Sequence, residues 1–335
     1  MSAKVSVIIL NWNGMDLLKE FLPRVLDNTD PDIADVIVAD NGSTDGSVDY
    51  LKWLGVAVIS FDRNHGFAGG YNLALERVST PYSVLLNSDV APAPGWINQL
   101  AEFMDAHPEV GACQPKILSY HYPEKFEYAG ACGGYIDRHG YPYCRGRIFD
   151  TVEADLGQYD TPANIDWASG AALMVRTDLY RECGGLDAEF FAHMEEIDLC
   201  WRMRLAGWQL AAVPSSVVYH LGGGSLPMGN PRKTYLNFRN NLLLLHKNLP
   251  ASDRKKALFT RRLLDTLAWS KSMLTFHWKD AAAILRAHRD YKKMRGAYNS
   301  IKAPADNLIA NAPNILISYF LRRRKRFSQI ARKHI

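Results

Sequence analysis

The 335-residue sequence has no long hydrophobic run, few cysteines and, over residues 251–335, few acidic side chains. Because no stretch of 18 uninterrupted apolar residues occurs, a membrane-spanning helix is not expected. The early run VSVIIL is too short for the core of a secretory signal. The five widely spaced cysteines form no C-x-x-C pair, which disfavours a zinc or redox motif and favours a reducing, cytoplasmic location.

Two common nucleotide-binding fingerprints are also missing. The glycine cluster GFAGG (66–70) matches neither G-x-G-x-x-G after a first strand nor G-x-x-x-x-G-K-[ST]. An NAD-type dehydrogenase and a P-loop enzyme are therefore disfavoured.

The first ninety residues alternate between apolar strand patterns and amphipathic helical patterns. Strands are predicted at 4–10, 35–40, 56–61 and 82–86, with helices near 15–27, 46–53 and 69–78. Continuous apolar strands separated by helices indicate an α/β fold with a parallel sheet covered on both faces. Helices are further predicted at 232–248, 252–298 and roughly 314–333.

Small or polar residues follow each of the four predicted strands. They begin at Asn11, Asp40, Asn64 and Asn87. Ligands of open α/β sheets bind outside the carboxyl ends of the strands, where loops and helix N-termini offer N–H groups to phosphates. A nucleotide-like ligand is therefore expected at this edge.

Each polar position also has a purely structural interpretation. Asp40 with NGSTDGS is a good turn before a helix, and GFAGG could be a helix-packing cluster. Asp89 could be a solvated residue at a strand end rather than an oxygen ligand of a divalent metal. A lone histidine such as His220 at the end of an apolar strand is more often structural than ligating.

Three carboxylates lie close together in FFAHMEEIDLCWRMRLAGW, namely Glu195, Glu196 and Asp198. The spacing of the apolar residues that follow predicts a helix beginning at Glu195 or Glu196. Acidic residues in a first turn stabilise a helix by roughly 0.3–1 kcal/mol each. That effect does not explain the aromatic residues before them.

Six segments occur in one order: VSVIILNWNG, VADNGSTDGS, NHGFAGGYN, LLNSDV, WASGAALMVR and GGLDAEFFAHMEEIDLCWRMRLAGW. Together they resemble the family 2 glycosyltransferases, especially the bacterial rhamnosyltransferase-like branch. The resemblance implies a GT-A fold, with a mostly parallel central sheet flanked by helices. It implies a catalytic domain at 1–250, with a nucleotide-sugar half at about 1–95 and an acceptor half at 96–250. A basic helical extension follows at 251–335.

The resemblance also implies roles for individual residues. The general base would be Glu196, where the family usually has Asp, with Glu195 beside it and Asp198 orienting the loop or capping the helix. The metal site, for Mg²⁺ or Mn²⁺, would use Asp89 and His220. Arg232 and Lys233 would help to stabilise the charge of the diphosphate. The nucleotide sugar would contact Asn11, Asn13, Asp40, Asn64, Gly66, Phe67, Gly69, Asn72, Asn87, Ser88 and Gly170. The first position of the family's D-x-D motif is Asn87 here, so the metal site would have one charged ligand fewer than the family pattern.

The implied reaction is an inverting transfer from a dTDP-rhamnose or UDP-hexose type of donor to a hydroxyl of a glycan or lipid-linked acceptor. Such a transfer needs a base on the acceptor hydroxyl and charge neutralisation on the departing diphosphate. The alternative, from another class, is a non-catalytic nucleotide-sugar or glycan-binding module. The departures at Asn87 and Glu196 make that alternative conceivable.

Charge divides the chain unevenly. Residues 1–250 contain 19 Lys+Arg and 30 Asp+Glu, whereas residues 251–335 contain 20 and 5. Mixed apolar and basic stretches such as NILISYFLRRRKRF suit helices on an anionic membrane surface. A solvated basic tail and a nucleic-acid surface are the alternatives. We expect a protein peripheral to the inner face of the plasma membrane and no nucleic-acid partner.

Overall fold

The computed structural model describes residues 3–222, 230–299 and 303–330. Its N-terminal part alternates strands and helices, as the hydrophobic pattern predicts. The elements are β1 (Val5–Asn11), α1 (Met15–Asn28), β2 (Ala34–Asp40), α2 (Ser47–Leu54), β3 (Ala57–Ser60), α3 (Gly66–Leu75) and β4 (Tyr82–Leu86). Strand β1 lies between β2 and β4, and all four strands are parallel. The prediction of a parallel sheet is confirmed for this part.

The rest of the main sheet is mixed, because three of its strands reverse direction. The elements that follow are β5 (Val90–Pro92), α4 (Trp96–Ala106), β6 (Val110–Ser119), β7 (Gly134–Ile136), β8 (Pro142–Cys144), β9 (Arg147–Ile148), β10 (Thr151–Val152), β11 (Ala163–Asn164), β12 (Ala172–Arg176), α5 (Thr177–Glu182), α6 (Glu195–Leu205) and β13 (Gln209–His220). The strand order is β11-β13-β6-β12-β4-β1-β2-β3, and β5 pairs with β13. Strands β5, β11 and β12 are antiparallel to their neighbours.

A second, four-stranded sheet in the order β10-β9-β8-β7 occupies the aromatic-rich part of the chain. Its side chains pack against the C-terminal segment. The rings of Tyr135 and Phe327 lie 4.9 Å apart, and the hydroxyl groups of Thr151 and Tyr319 are 2.8 Å apart.

The C-terminal region is helical but more broken than predicted. Its helices are α7 (Pro231–Asn248), α8 (Ala251–Leu274), α9 (Trp278–Met294) and α10 (Phe327–Ile330). The expected helix at 252–298 is interrupted because Phe276 has a positive φ of 61°. The helix expected at 314–333 is also wrong. A π-helical turn at Ile317–Leu321 and α10 replace it, Arg323 between them has a φ of 54°, and residues 331–333 lie outside the described ranges.

Residues 251–330 pack on the preceding chain. The Tyr298 hydroxyl donates to Asp187 at 3.0 Å, and Phe327 is buried in the same core as Phe190. A domain boundary at 250 stays a prediction. Among residues 3–222, 230–299 and 303–330, no helix is long and apolar enough to cross a membrane.

Candidate active site

Two buried side chains join the ends of β1 and β2. Asn11 and Asp40 are paired in the sheet register, and the Asn11 Nδ2 donates to Asp40 Oδ2 at 2.9 Å. The Ser43 amide donates to the other Asp40 oxygen at 2.9 Å. Asp40 therefore forms the turn that the structural interpretation required, and it does so at the edge where a ligand was expected.

The loop after β3 is held by a residue that the sequence analysis missed. Asn41 is buried, and its Nδ2 donates to Asn64 Oδ1 and to the Gly66 carbonyl, both at 3.0 Å. The amide of Gly66 donates to Asn64 Oδ1 at 2.8 Å. Its position directly after Asp40 in a polar run is the only signal in the sequence for Asn41. Asn64 and Gly66 thus lie beside the Asp40 turn.

The other residues predicted to contact the nucleotide sugar fall into two groups. Asn13 accepts from the Thr44 amide at 2.8 Å, and Phe67 and Gly69 lie in the first turn of α3. By contrast, both groups of the Asn72 amide are used inside the protein. Its Nδ2 donates to the Leu186 carbonyl at 2.8 Å, and its Oδ1 accepts from the Tyr180 hydroxyl at 2.6 Å. Asn72 therefore positions the backbone at Leu186, and we do not propose it as a ligand contact.

The GFAGG cluster includes one packing glycine. A Cβ at Gly70 would lie 2.6 Å from Leu10 Cδ1, so a larger residue would displace the Leu10 side chain where α3 packs on β1. The packing interpretation holds at Gly70.

The candidate metal ligands meet because of strand pairing. His220 ends β13 opposite Val90 of β5, which places Asp89 next to it. Both side chains are buried, and His220 Nε2 lies 3.1 Å from Asp89 Oδ1. Asn87 Nδ2 lies 3.4 Å from the same nitrogen, and Ser88 occupies the turn between Asn87 and Asp89. The sequence could not give this proximity, because 131 positions separate the two residues.

Glu127, which the sequence analysis missed, lies near the second ring nitrogen of His220. Its Oε2 lies 3.5 Å from His220 Nδ1. Burial alone would lower the pKa of His220, but the hydrogen bond to Asp89 and the nearby Glu127 carboxylate outweigh it and raise the pKa to about 10. No sequence pattern distinguishes Glu127 from the other acidic residues around it.

The residues fit a divalent cation. Neighbouring ligands of a six-coordinate ion with bonds of ~2.1 Å are about 3 Å apart, which matches the Asp89–His220 separation. A carboxylate behind a histidine is the usual support for a metal-bound imidazole. Within the described ranges, no cluster of three or more His, Cys, Asp or Glu side chains is arranged for a metal. Asp89 and His220 would therefore be a two-ligand site.

The start of α7 brings the predicted diphosphate residues to this side. Lys233 is half-buried, which lowers its pKa, while the Glu127 carboxylate acts in the opposite direction. Lys233 therefore interacts electrostatically with the same carboxylate that lies near His220. The Arg232 guanidinium instead lies over the Phe191 ring, 4.9 Å from its centroid, in the loop before α6.

The loop before α6 has an unusual backbone that α7 stabilises. Phe191, His193 and Met194 all have positive φ angles, of 65°, 68° and 72°. Asn240 Nδ2 donates to the carbonyls of Phe190, Ala192 and His193 at 2.7–2.9 Å. Non-glycine residues in this conformation need such support from their surroundings. Asn240 thereby fixes where α6 begins.

Helix α6 begins at Glu195, as predicted, and buries two adjacent carboxyl groups. The Oε2 atoms of Glu195 and Glu196 are buried without a hydrogen-bond partner among the described residues. Burial raises the pKa of Glu196 to about 7. Burial, and then the charge of Glu196, raise the pKa of Glu195 well above its ordinary value. Both carboxyl groups therefore hold a proton more tightly than an exposed glutamate does.

Gly170 and Phe67 lie against the Glu196 side chain. A Cβ at Gly170 would lie 3.7 Å from Glu196 Cβ and 3.8 Å from Phe67 Cζ. The predicted nucleotide-sugar half, which contains Phe67, and the predicted acceptor half, which contains Glu196, thus meet at this glycine. The predicted base therefore lies beside the helix that is predicted to bind the donor.

Asp198 does not cap the helix. It is fully buried, and it accepts from Arg202 at 2.9 Å, Lys247 at 2.8 Å and Asn248 at 2.7 Å. The prediction that it serves the helix start is wrong, because its charge is used to join α6 to α7. The three carboxylates therefore differ in their surroundings. Glu195 and Glu196 form a pair with raised pKa values, whereas Asp198 forms ion pairs that join α6 to α7.

The fold is that of the GT-A class. A solved structure of GalNAc-T7 with UDP, GalNAc and Mn²⁺ superposes with a TM-score of 0.58 at 16% identity, covering 77% of this chain and 50% of the other. A mannosyltransferase from Pyrobaculum calidifontis, in complex with GDP-Man and Mn²⁺, gives a TM-score of 0.52 at 15% identity and covers 88% and 85%.

Sequence similarity identifies the family within this class. Residues 6–131 match glycosyl transferase family 2. An N-acetylglucosaminyl-diphospho-decaprenol L-rhamnosyltransferase of Mycobacterium tuberculosis is 25% identical over 236 residues, which are 66% of this chain and 76% of that protein. The chain is a glycosyltransferase that matches family 2 over residues 6–131 and is similar to a rhamnosyltransferase over 66% of its length.

Proposed function

We propose that this enzyme transfers a sugar from a nucleoside-diphosphate donor to a hydroxyl group of a glycan or lipid-linked acceptor, with inversion at the anomeric carbon. The observation that carries this proposal is the buried Glu195–Glu196 pair beside Gly170 and Phe67. A base with a pKa near the operating pH is the most effective in proton transfer, and Glu196 has a pKa of about 7.

In the proposed reaction, the acceptor oxygen attacks the anomeric carbon from the face opposite the diphosphate. Glu196 takes the hydroxyl proton as the new C–O bond forms and the bond to the diphosphate oxygen breaks. Burial, which raises the pKa of Glu195, disfavours a second negative charge beside the base. No covalent enzyme intermediate is needed.

Asp89 and His220 would hold a divalent cation, Mg²⁺ or Mn²⁺, which when bound would neutralise charge on the departing diphosphate. Glu127 supports this assignment because it lies 3.5 Å from His220 Nδ1 and orients the ring. Lys233, beside Glu127, would contact a diphosphate oxygen, with Arg232 as the more exposed second cation.

The donor would lie along the edge formed by the turns after β1, β2 and β3. Asn11, Asn13, Asp40, Asn64 and Gly66 are joined there by direct hydrogen bonds or through Ser43 and Asn41. We propose dTDP-rhamnose or a UDP-hexose as the donor type. The relative from Mycobacterium tuberculosis is named for rhamnosyl transfer to a lipid-linked diphosphate, which supports a comparable acceptor here.

A thermal-shift panel tests this proposal. Native protein with UDP-, dTDP- and GDP-sugars, each with and without Mn²⁺, should show one nucleotide class that stabilises it only when the metal is present. A ligand at 100 times its Kd adds about 2.7 kcal/mol of stability. The matched control is Asp105→Asn, an acidic residue on α4 away from the site, compared with Asp89→Asn. Equal metal-dependent shifts in both variants would contradict the assignment of Asp89.

A further inference from the structure

An exposed apolar face runs along α8. Phe259, Leu263 and Leu267 follow one another at intervals of four residues, and they are 61%, 54% and 66% exposed. Intervals of four place side chains on one face of a helix. Exposed helix faces of globular proteins are normally polar, and a contiguous exposed apolar patch usually marks an interaction surface.

The charged residues on this face are cationic. Lys255, Lys256, Arg262 and Lys271 are exposed on α8. The two acidic residues of the helix are engaged elsewhere. Asp265 is buried against Arg261 at 2.9 Å and His288 at 3.0 Å, and Asp253 accepts from Asn307 at 2.7 Å. The face therefore combines apolar groups with uncompensated positive charge.

A pocket of about 270 Å³ opens between α7, α8 and α9, directly beside this face. Three basic side chains line it, Lys255, Arg262 and Arg295. Its other walls include Leu242 and Tyr291, both buried. In the part of the chain that the structure describes, none of these three cations forms an ion pair with a carboxylate.

Lys255, Arg262 and Arg295, which have no carboxylate partner among the described residues, line this pocket together with His288, which is paired with Asp265, and such cations suit a phosphate group. Arginine offers a planar pair of N–H donors that matches phosphate oxygens, and lysine adds a compact charge. Phe259 lines the pocket and also begins the apolar face. A ligand with a phosphate headgroup joined to hydrocarbon would satisfy both features at once.

We propose that this pocket binds the phosphate headgroup of an anionic membrane lipid, while Phe259, Leu263 and Leu267 enter the boundary between headgroups and acyl chains. An interfacial helix with apolar and basic residues binds membranes in this way. A nucleic acid fits less well, because leucine side chains gain nothing from a phosphodiester backbone. The inference does not depend on sugar transfer, since lipid binding is measured without donor.

Point variants of the full-length chain provide the test. Truncation after about residue 250 would remove the buried residues Tyr298 and Phe327 and so expose the core that they cover. The charge variant is Arg262→Gln/Arg295→Gln and the apolar variant is Leu263→Ser/Leu267→Ser. Their matched controls are Lys19→Gln/Lys52→Gln and Trp53→Ser, which change exposed residues of the N-terminal half.

Co-sedimentation with vesicles of phosphatidylcholine alone, or with phosphatidylglycerol added, gives the readout. Wild type and both controls should bind the anionic vesicles and lose binding at high salt. Each cation near an anionic surface contributes a factor of about five, so the charge variant should bind roughly 25-fold more weakly. The apolar variant should also bind more weakly, and its remaining binding should be more sensitive to salt.

Three outcomes would overturn the proposal. The first is unchanged vesicle binding in the charge and apolar variants whose circular dichroism matches wild type. The second is a thermal shift with inorganic phosphate, lost in the charge variant, without any vesicle binding, which would indicate a soluble phosphate ligand. The third is binding to duplex DNA or RNA that exceeds vesicle binding and ignores the leucine substitutions.

Discussion

Replacing Glu196 by Gln should remove the base while keeping the shape of the site. Glutamine has nearly the same volume as glutamate but cannot accept the acceptor proton. Gly170 and Phe67 would still pack against the side chain, so donor affinity should be unchanged. Glu195→Gln is the matched control, because it makes the same substitution at the neighbouring carboxyl, whose pKa burial also raises.

The expected size of the effect follows from the role of a positioned base, which contributes about 10²–10⁴-fold to the rate. At 1.36 kcal/mol for each factor of ten, the loss corresponds to roughly 3–5 kcal/mol of transition-state stabilisation. The pKa of about 7 adds a signature in pH. Activity of wild type should rise with pH up to about 7 and then level off, because only the ionised carboxylate accepts a proton.

The assay is kcat/KM for nucleoside diphosphate release from pH 5 to 9 in wild type and both variants. Glu195→Gln should keep the rising limb near pH 7, whereas Glu196→Gln should lose both the rate and the limb. The reasoning would be refuted by a Glu196→Gln enzyme with a near-normal rate and an unchanged pH profile.

Three further predictions concern stability, metal binding and the loop before α6. Burial raises the pKa of Glu196 above its unfolded value of 4.5. The free energy of unfolding of wild type should therefore fall as pH rises from about 4.5 to 7, by at most about 3 kcal/mol. Because glutamine does not titrate, Glu196→Gln should raise Tm at pH 8 but not at pH 4.5. Glu127→Gln should weaken Mn²⁺ binding, measured by electron paramagnetic resonance, by about 10–100-fold, and an effect as large in the exposed Glu124→Gln would contradict the role of Glu127. Asn240→Ala should lower both Tm and kcat, since it removes the donor to the Ala192 and His193 carbonyls at about 1–3 kcal/mol for each buried group, whereas Arg239 still donates to Phe190. Asn237→Ala, on the same helix, should change neither, and equal effects would argue against loop support.

Local patterns were sufficient to predict the first four strands, the start of α6 and the end of β13. In each case the apolar period and the flanking polar residues lie within one short segment. The residue types at Asp89, Glu195, Glu196 and His220 were also readable, with family resemblance supplying their roles.

Features that depend on distant pairing could not be read in this way. The Asp89–His220 contact follows from the β5–β13 register, and Glu127 reaches His220 from a segment without a pattern of its own. Asp198 was misassigned because its partners Lys247 and Asn248 lie on another helix. The helix predicted at 314–333 does not form as one element, because Phe327 is buried beside the second sheet, where its ring contacts Tyr135.

The most direct measurement is product formation from the best-binding nucleotide sugar with a lipid-linked or glycan acceptor, in Mn²⁺ and in chelator. We predict release of nucleoside diphosphate and a glycosylated product whose anomeric configuration, read by nuclear magnetic resonance, is opposite to that of the donor. Binding of the donor with no release under any metal condition, or a product of retained configuration, would contradict the account.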